Sequence, residues 1–332
     1  MKKVIVTGAG GFIGRSLVNK LSAENTVYAI LYSESEKALL TPSENVITII
    51  GDLNDWEKIA EQIVTDEKID VFYHLAWGGI SAAAYKDIDI QKENISMSIN
   101  CALLAKQIGC RKFVFVGTNQ EYLKGAAYDN TVSNASVYGV CKMCARNLCN
   151  VVLKDTMEFN STAFTNVFGK GDFSNRTANF FISKLLKGES LDLIEGNNKY
   201  DWTYIDDAVE GLIAVGTKGI NGKQYYIGSR EIPTFKEIII KLRDIICPEA
   251  QLNLGKYNDP TYTDYSNFDL DALFNDTGFE CKADVKESVL KTVDWLKNRE
   301  IGQTAQLEKT SNRGNYPLIS SFSPLFERKA AV

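Results

Sequence analysis

The 332-residue chain contains a single histidine, His74, and this scarcity limits the metal chemistry open to it. Cys141 and Cys144 have the spacing of zinc ligands, but no second cysteine pair at such a spacing completes a tetrahedral site. With Cys149, these two cysteines follow helical spacing, which favours buried and inert thiols. We therefore expect no metal site.

The chain also lacks an excess of positive charge and a long apolar run. Its formal net charge of −5 and its pI near 5.2 argue against a general nucleic-acid or membrane-surface role. No apolar stretch approaches the roughly 20 residues that span a bilayer. The first strand pattern begins so early that it leaves no room for a signal peptide. Seven scattered cysteines suit a reducing compartment, so the sequence predicts a cytoplasmic protein without a membrane or nucleic-acid partner.

Glycines are concentrated near the N-terminus, in residues 7–14. The preceding residues 3–6 are apolar and β-branched, which predicts a buried strand, and residues 12–21 have the apolar spacing of a helix. Between a strand and a helix, such glycines allow a tight turn, close approach of a pyrophosphate and close helix packing. The helix N-terminus adds free N–H groups that favour an anion. The pattern predicts a dinucleotide site at Gly8, Gly11, Phe12, Ile13 and Gly14.

Strand and helix patterns alternate through the first half of the chain. Strands are predicted at residues 26–31, 45–50, 70–76, 111–117 and 159–167, with helices at 55–65, 88–109 and 136–155. This alternation predicts an α/β fold with a doubly wound parallel Rossmann sheet over residues 1–168. Helices at 177–187, 206–217, 234–246 and 284–299 predict a smaller α/β substrate domain over residues 169–300. Part of that region is expected to return to the first domain, and residues 301–332 to form an irregular tail.

A tyrosine and a lysine one helical turn apart, Tyr138 and Lys142, suggest proton transfer. A phenol with a pKa of about 10 is a poor acid–base group at neutral pH. A neighbouring ammonium group and an oxidised nicotinamide both favour the phenolate and lower that pKa. Thr118 follows the predicted strand 111–117, at the edge where an open sheet presents its chemistry. We expect Thr118, Tyr138 and Lys142 to form the catalytic group.

These residues resemble the extended short-chain dehydrogenases/reductases, the NAD-dependent epimerase/dehydratase family that modifies nucleotide sugars. The resemblance covers residues 2–300 and includes Gly51-Asp52-Leu53, His74-Leu75-Ala76, Asn94 with Asn100, Asn166-Val167-Phe168-Gly169 and residues 201–207. It implies that Asp52 and Leu53 frame the adenine, that Ala76 lies along the cofactor and that Asn94 orders the pocket. It also implies that Tyr138 and Lys142 contact the cofactor and that His74 is structural.

Two departures from the family pattern narrow the reaction. Where dehydratase members carry Asp and Glu after the catalytic hydroxyl, this chain has Asn119 and Gln120, and amides cannot perform that proton chemistry. Members that epimerise C3 and C5 have a cysteine at the position of Gln120. The remaining reaction is NAD(P)-dependent reduction of a 4-keto-6-deoxy nucleotide sugar, with Tyr138 as the proton donor. The alternatives are a C4 epimerase with retained NAD and a catalytically silent cofactor-binding scaffold.

Further departures concern the substrate. Family members usually carry arginines at the positions of Ala163 and Tyr200, and the second arginine grips the substrate diphosphate. This loss of grip motivates the scaffold alternative. The candidate replacements are Arg176, Lys184, Lys199 and Arg230. We expect Asn119, Asn166, Arg176 and Tyr200 to contact a small-molecule nucleotide-sugar substrate.

The cofactor type and the oligomeric state complete the expectations. Glu34 stands at the distance expected for a ribose 2′-OH ligand, while Arg15 and Lys37 suit a 2′-phosphate. Both NADP and NAD are therefore open, and NADPH is slightly favoured because it normally supplies reductases. The resemblance implies a homodimer through the helices at 88–109 and 136–155. The second helix carries a spare apolar stripe formed by Val137, Cys141, Cys144, Leu148, Val151 and Val152.

Overall fold

The structure is a computed structural model that describes residues 2–65, 67–79, 84–122, 134–174, 177–257 and 263–311. Its strands are β1 Lys2–Thr7, β2 Asn25–Leu31, β3 Val46–Ile50, β4 Val71–His74, β5 Lys112–Val116, β6 Glu158–Ala163, β7 Asn166–Phe168, β8 Leu191–Asp192, β9 Trp202–Tyr204, β10 Gln224–Tyr226 and β11 Leu252–Asn253. Its α-helices are α1 Phe12–Leu21, α2 Trp56–Gln62, α3 Ile88–Ile108, α4 Asn134–Leu153, α5 Thr177–Leu186, α6 Ile205–Lys218, α7 Phe235–Ile246, α8 Ala272–Thr277 and α9 Val285–Ser311.

A seven-stranded parallel sheet organises the molecule, in the spatial order β10-β6-β5-β4-β1-β2-β3. The chain runs outward from β1 to β3 on one side and from β4 to β6 on the other, so the order reverses between β1 and β4. These two strands are neighbours, with Thr7 opposite His74. A reversal of this kind leaves a crevice at the carboxyl edge of the sheet, where open α/β sheets bind ligands. The predicted doubly wound fold is confirmed.

Helices cover both faces of the sheet and bury its strands. β4 and β5 are buried along their whole length, which is the pattern expected of central parallel strands. On the face covered by α3 and α4, Phe113 lies between Phe72 and Phe159, with ring centroids 5.0 and 6.1 Å apart. Full burial of such a side chain contributes about 1.5–3 kcal/mol. These stacked rings pack β5 between its neighbouring strands β4 and β6, and Thr118 follows shortly after the end of β5.

The single strand predicted over residues 159–167 is two separate strands in the structure. β6 ends at Ala163, and β7 pairs with β9 in a separate two-stranded sheet. The Ala163 carbonyl accepts a hydrogen bond from Ile227 N, just after β10, and the Phe164 carbonyl accepts one from Asn119 N. Pairing with strands that are distant in sequence therefore determines where the strand ends, and the local apolar pattern does not predict this end.

The C-terminal prediction also needs correction, because α9 continues to Ser311 instead of ending near residue 299. Residues 300–311 include Gln, Ala, Leu, Glu and Lys, which are good helix formers even without an apolar stripe. β10 joins the main sheet although it lies in the second half of the chain. Across the described ranges, no helix has the combination of length and apolarity needed to cross a bilayer.

Candidate active site

The glycine-rich segment forms a tight connection between β1 and α1. Gly8 has a φ of +65°, and a Cβ there would lie 2.8 Å from Ala76 N. A Cβ on Gly14 would overlap the carbonyl oxygen of Gly8. Gly11 precedes α1 without a side-chain cap, so the first N–H groups of α1 stay available to an anion. Phe12 and Ile13 form the first turn of this helix, as the dinucleotide prediction requires.

The single histidine lies beneath the crevice and is buried. His74 Nδ1 is 2.9 Å from Thr7 Oγ1, and His74 Nε2 is 3.0 Å from Ser98 Oγ. Thr7 Oγ1 also accepts bonds from the N–H groups of Leu75 and Ala76, at 3.2 and 3.3 Å. Burial, together with the nearby Lys142 ammonium, lowers the pKa of His74 to about 3. A neutral imidazole in this position joins β1 to β4, which fits the structural role expected of it.

Asn94 holds the backbone that follows β4. Its Oδ1 accepts a bond from Gly78 N at 2.7 Å, and its Nδ2 donates to Gly78 O at 2.9 Å. Asp52 is exposed and accepts a bond from Asn54 N at 2.9 Å, while Leu53 is buried. Asn94 thus fixes the backbone that follows β4, and the Asp52–Leu53 pair lies just after β3.

The three predicted catalytic residues lie on two elements that pack directly together. Thr118 is buried after β5, and Tyr138 and Lys142 lie near the start of α4. At Gly139 a Cβ would overlap the carbonyl oxygen of Gln120, so only glycine allows α4 to pack this closely against the Thr118 turn. Lys142 Nζ donates to Val116 O at 2.9 Å, which brings the ammonium to the end of the same strand.

Lys142 is an unusually buried ammonium group. Burial lowers the pKa of Lys142 to about 7, although the Glu121 carboxylate opposes this shift. Its Nζ lies 4.0 Å from the centre of the Trp77 ring and 5.2 Å from that of Phe115, so cation–π contact replaces part of its lost hydration. A cation held here lowers the pKa of a neighbouring phenol, which is the chemistry that Tyr138 requires.

Aromatic residues that the sequence analysis missed surround Tyr138. The Tyr85 ring stacks on Tyr138 with centroids 4.3 Å apart, and Trp77 meets it edge-on at 5.9 Å. Buried Gln91 holds both neighbours, because its Oε1 accepts from Trp77 Nε1 at 3.0 Å and its Nε2 donates to Ala84 O at 2.9 Å. Trp77 directly follows the expected cofactor contact Ala76, and this adjacency was a usable signal.

The side chains that follow Thr118 are two amides and a carboxyl group whose oxygens already accept hydrogen bonds. Asn119 donates from Nδ2 to Thr263 Oγ1 at 2.6 Å. Gln120 is an amide and half-buried. Glu121 is a carboxyl group, but its oxygens accept from Thr118 N at 3.0 Å and from Arg146 Nε at 2.8 Å. Neither Glu121 nor Arg146 was predicted from the sequence.

Two of the expected substrate residues, Asn166 and Tyr200, contact each other. Asn166 Nδ2 donates to the Tyr200 hydroxyl at 2.7 Å, and Tyr200 meets the Phe235 ring at 5.2 Å. Arg176 lies outside the described residues. The other cations proposed as replacements already have partners: Lys184 with Glu189, Lys199 with the Ile232 carbonyl, and Arg230 with Asp271 and Glu280. Ala163, one of the two positions where family members usually carry arginine, is fully buried and offers no charge.

Asp201, the first residue of the matched stretch 201–207, is buried just before β9. Its carboxylate accepts three hydrogen bonds, from the Tyr226 hydroxyl at 2.6 Å and from Ser229 N and Ser229 Oγ at 2.8 Å each. Neutral donors thus stabilise this buried anion.

The region after β2 differs from the expectation built on Glu34. Glu34 pairs with Lys37 at 2.7 Å and is exposed. Glu36 is the carboxylate that lies against the glycine loop: its Oε2 accepts from Tyr32 N at 2.9 Å and would be 2.8 Å from a Cβ on Gly10. Glu36 was not predicted from the sequence, because it lies five residues past β2 in a turn that folds back over the glycine loop.

Arg15 also has contacts within the chain. Its guanidinium donates to Gly10 O at 3.3 Å and to Gly171 O, and it lies 4.8 Å from the centre of the Phe173 ring. Both cations proposed to bind a 2′-phosphate therefore have other contacts. Across the described ranges, no group of three His, Cys, Asp or Glu side chains is arranged to hold a metal ion.

The apolar stripe proposed for α4 is partly wrong. Cys141 is buried within the chain and is therefore not part of a surface stripe. The exposed apolar residues of this helix are Val140, Leu148 and Val151, and Val151 is 71% exposed. Cys144 is exposed on the same outer side. A narrower stripe than the one predicted remains on the surface.

Comparison with known proteins identifies the family. A model described as the NAD-dependent epimerase/dehydratase family matches residues 4–228. The UDP-N-acetyl-α-D-glucosaminuronate decarboxylase of Bacillus cytotoxicus is 28% identical over 258 residues, which are 71% of this chain and 78% of that protein. The UDP-glucuronic acid 4-epimerase of Bacillus cereus, solved with UDP-glucuronic acid and NAD, has a TM-score of 0.71 at 25% identity, and the match covers 89% of this chain and 99% of that one.

The fold also matches the Bordetella bronchiseptica enzyme WbmF, solved with NADH, with a TM-score of 0.75 at 21% identity over 95% of this chain and 98% of that one. The family match includes the glycine loop, the Thr118 turn and the Tyr138–Lys142 helix, and it spans more than half of the chain. The family predicted from the sequence is thereby confirmed: the chain belongs to the NAD-dependent epimerase/dehydratase family and is a nicotinamide-dependent enzyme of the extended short-chain dehydrogenase type.

Proposed function

We propose that the chain transfers hydride at C4 of a nucleotide sugar, without elimination of water. The observation that carries this proposal is the pairing of an intact Thr118–Tyr138–Lys142 group with side chains that cannot catalyse elimination. Asn119 is an amide bonded to Thr263, and both oxygens of Glu121 already accept hydrogen bonds. Hydride transfer needs one proton donor or acceptor, whereas elimination needs an additional acid and base.

In the proposed mechanism, Tyr138 exchanges a proton with the C4 oxygen of the sugar. Thr118 Oγ1 hydrogen-bonds the same oxygen and stabilises negative charge as it develops. Lys142 holds a positive charge next to the phenol and lowers the free energy of the phenolate. Trp77 and Tyr85 cover Tyr138 and keep water from the proton-transfer site. A bound nicotinamide supplies or accepts the hydride.

We propose NAD(H) as the cofactor, which departs from the NADPH preference suggested by sequence. Glu36 lies against the glycine loop, where a carboxylate suits a ribose 2′-OH and repels a 2′-phosphate. Arg15 and Lys37 are engaged elsewhere. Glu36→Gln should lower the ratio of NAD affinity to NADP affinity by about tenfold, which corresponds to about 1.4 kcal/mol of binding free energy. Glu34→Gln is the matched control and should leave the ratio unchanged in calorimetric titrations.

Two reactions share this chemistry. Reduction of a 4-keto-6-deoxy nucleotide sugar is the candidate drawn from the sequence. C4 epimerisation with retained cofactor is the second. The Glu36 contact favours epimerisation, because NADPH normally supplies reductases and a carboxylate at this place suits NAD(H) instead. The 4-epimerase from Bacillus cereus, solved with NAD and UDP-glucuronic acid, also supports it.

One experiment separates these reactions. Protein purified without added cofactor is denatured, and the supernatant is examined by mass spectrometry. Stoichiometric NAD(H), with interconversion of C4 epimers and no net NADH consumption, supports the epimerase. Cofactor-free protein that oxidises NADH or NADPH with a 4-keto-6-deoxy nucleotide sugar supports the reductase. If no nucleotide sugar binds or turns over, the silent scaffold replaces both.

We further propose a cytoplasmic homodimer, since the cofactor and activated sugars are supplied in that compartment. Val140, Leu148 and Val151 offer α4 an exposed apolar stripe for a two-fold partner. Light scattering should give twice the chain mass of 36.9 kDa. Val151→Glu should yield monomers, whereas Val64→Glu, an equally apolar residue that is 82% exposed elsewhere, should not. A wild-type monomer at micromolar concentration contradicts the proposal.

A further inference from the structure

A buried ion pair lies directly beneath the catalytic turn. Glu121 belongs to the short turn Asn119–Tyr122, and its side chain is fully shielded from solvent. One carboxylate oxygen accepts from Thr118 N at 3.0 Å, and the other accepts from Arg146 Nε at 2.8 Å. The Arg146 side chain is only 18% exposed. A burial this deep makes each charge dependent on the other.

The pair joins the two elements that carry the catalytic residues. Arg146 lies one helical turn past Lys142 on α4, and Lys142 lies one turn past Tyr138, so the three share a helix face. Glu121 comes from the other element, the turn that begins at Thr118. At Gly117 a Cβ would lie 2.5 Å from Glu121 Oε1, so the carboxylate occupies the space that a larger residue would need.

We propose that Glu121 and Arg146 are positioning residues, which hold the Thr118 turn against the Tyr138–Lys142 helix and set the protonation of that helix pair through their opposite charges. This inference rests on the proposed hydride-transfer function. Neither residue contacts the expected sugar carbonyl, so both act through their neighbours.

The electrostatic part of the proposal has a definite sign. Lys142 is faced by Glu121 from the turn, by the Cys149 thiol on its own helix and by the neutral His74 on β4. Arg146 pairs with Glu121. The surrounding Trp77 and Phe115 rings carry no titratable group. A nearby negative charge raises the pKa of both an ammonium and a phenol, and a nearby positive charge lowers both. Removal of Glu121 therefore lowers the apparent pKa of the Tyr138–Lys142 pair. Removal of Arg146 leaves the Glu121 carboxyl buried without its cation, so the carboxyl takes up a proton and the apparent pKa of the Tyr138–Lys142 pair falls in this case as well.

The test compares Glu121→Gln, Arg146→Gln and Arg146→Lys with the wild type. The kcat and KM are measured from about pH 5.5 to 9.5 with a sugar that the wild type turns over. In both Gln variants we expect kcat to fall about tenfold or more while the KM for cofactor changes by less than about threefold. The apparent pKa should fall by about half a unit or more in both Glu121→Gln and Arg146→Gln. Arg146→Lys keeps the charge and should restore the wild-type pKa.

Asp89→Asn and Lys92→Gln are matched controls, because they remove the same charges from an exposed ion pair on α3. Neither control should change the pH profile. A rise in the apparent pKa, or no shift, in Glu121→Gln or Arg146→Gln overturns the electrostatic part. A lower kcat with an unchanged pH profile would indicate that the pair has only a structural role.

A measurement independent of activity separates this inference from the proposed function. Hydrogen exchange of the Thr118 amide, followed by mass spectrometry at peptide resolution or by NMR, reports the bond to Glu121 directly. In Glu121→Ala we expect exchange at Thr118 about tenfold faster or more, with Asp89→Asn unchanged. Unchanged exchange overturns the positioning role even in an active enzyme. Faster exchange in a protein that turns over no sugar leaves the positioning role standing and refutes the proposed function instead.

Discussion

Gly14→Ala isolates the close packing between the glycine loop and α1. Gly14 is the third residue of α1, and an alanine Cβ would overlap the Gly8 carbonyl oxygen and lie 2.9 Å from its carbonyl carbon. Both clashing atoms belong to the backbone, so no side chain can rotate away. Overpacking of this kind costs about 1–3 kcal/mol. Alanine gains up to about 1 kcal/mol over glycine in a helix, which offsets only part of that cost.

Two other glycines provide matched comparisons. Gly109 follows α3 with a φ of +73°, and a Cβ at this position would have no atom within 4 Å. Gly109→Ala therefore tests left-handed strain alone, at about 1–2 kcal/mol. Gly11 would place a Cβ 3.1 Å from the Gly8 carbonyl oxygen, a tight contact without overlap. Gly11→Ala should therefore destabilise the protein least, by about 0.5–1 kcal/mol, because alanine is a poorer N-cap residue than glycine.

The assay combines denaturant unfolding of the cofactor-free protein with calorimetric titration of NAD. Gly14→Ala should unfold at lower denaturant and bind NAD about tenfold or more weakly, because relief of the clash displaces the loop beside the pyrophosphate. Gly109→Ala should lose stability and keep its NAD affinity. A Gly14→Ala protein with wild-type affinity, or a Gly109→Ala protein with reduced affinity, would refute this reasoning about the loop.

Three further outcomes follow from the site. Tyr138→Phe should lower kcat by about a hundredfold or more, since the proton donor is lost, while calorimetry shows retained cofactor binding; near-normal turnover would mean that another group moves the proton. The single imidazole of His74 should show no NMR titration between about pH 5 and 8, because its pKa is about 3, and an inflection near neutrality would contradict its burial. Its protonation only in the unfolded chain should reduce stability as the pH falls below about 6.5, by at most about 1.4 kcal/mol per unit. Tyr226→Phe should cost about 1–3 kcal/mol in denaturant unfolding, because the buried Asp201 carboxylate loses one of its three donors, and an unchanged midpoint would show that Ser229 suffices.

Local pattern was sufficient for most of the fold. The apolar run before Gly8 and the helical spacing after it predicted β1 and α1, and both are present. The Tyr138–Lys142 spacing placed both residues on one helix, near the end of the strand that precedes Thr118. These features depend on neighbours within a few positions, which a single sequence displays directly.

The remaining features depend on contacts between distant segments. The break between β6 and β7 is set by pairing with β10 and β9, which lie far along the chain. Glu36 contacts Gly10 only because a turn folds back over the loop. Glu121 reads as an ordinary surface acid until α4 brings Arg146 against it. A charge pattern in sequence gives no measure of burial, so the sequence alone could not reveal these partners.

Arg15 connects the cofactor loop to the other half of the molecule. It directly follows the last glycine of the loop, yet its guanidinium donates to the carbonyl of Gly171 and packs over Phe173, in the segment that leaves β7. One side chain thus joins the glycine loop to the segment that follows β7. A movement of the loop would therefore shift that segment as well. The free energy of such coupling is reciprocal, so a ligand that fixed the Gly171 segment would strengthen binding at the loop by the same factor by which a ligand at the loop strengthened binding at that segment.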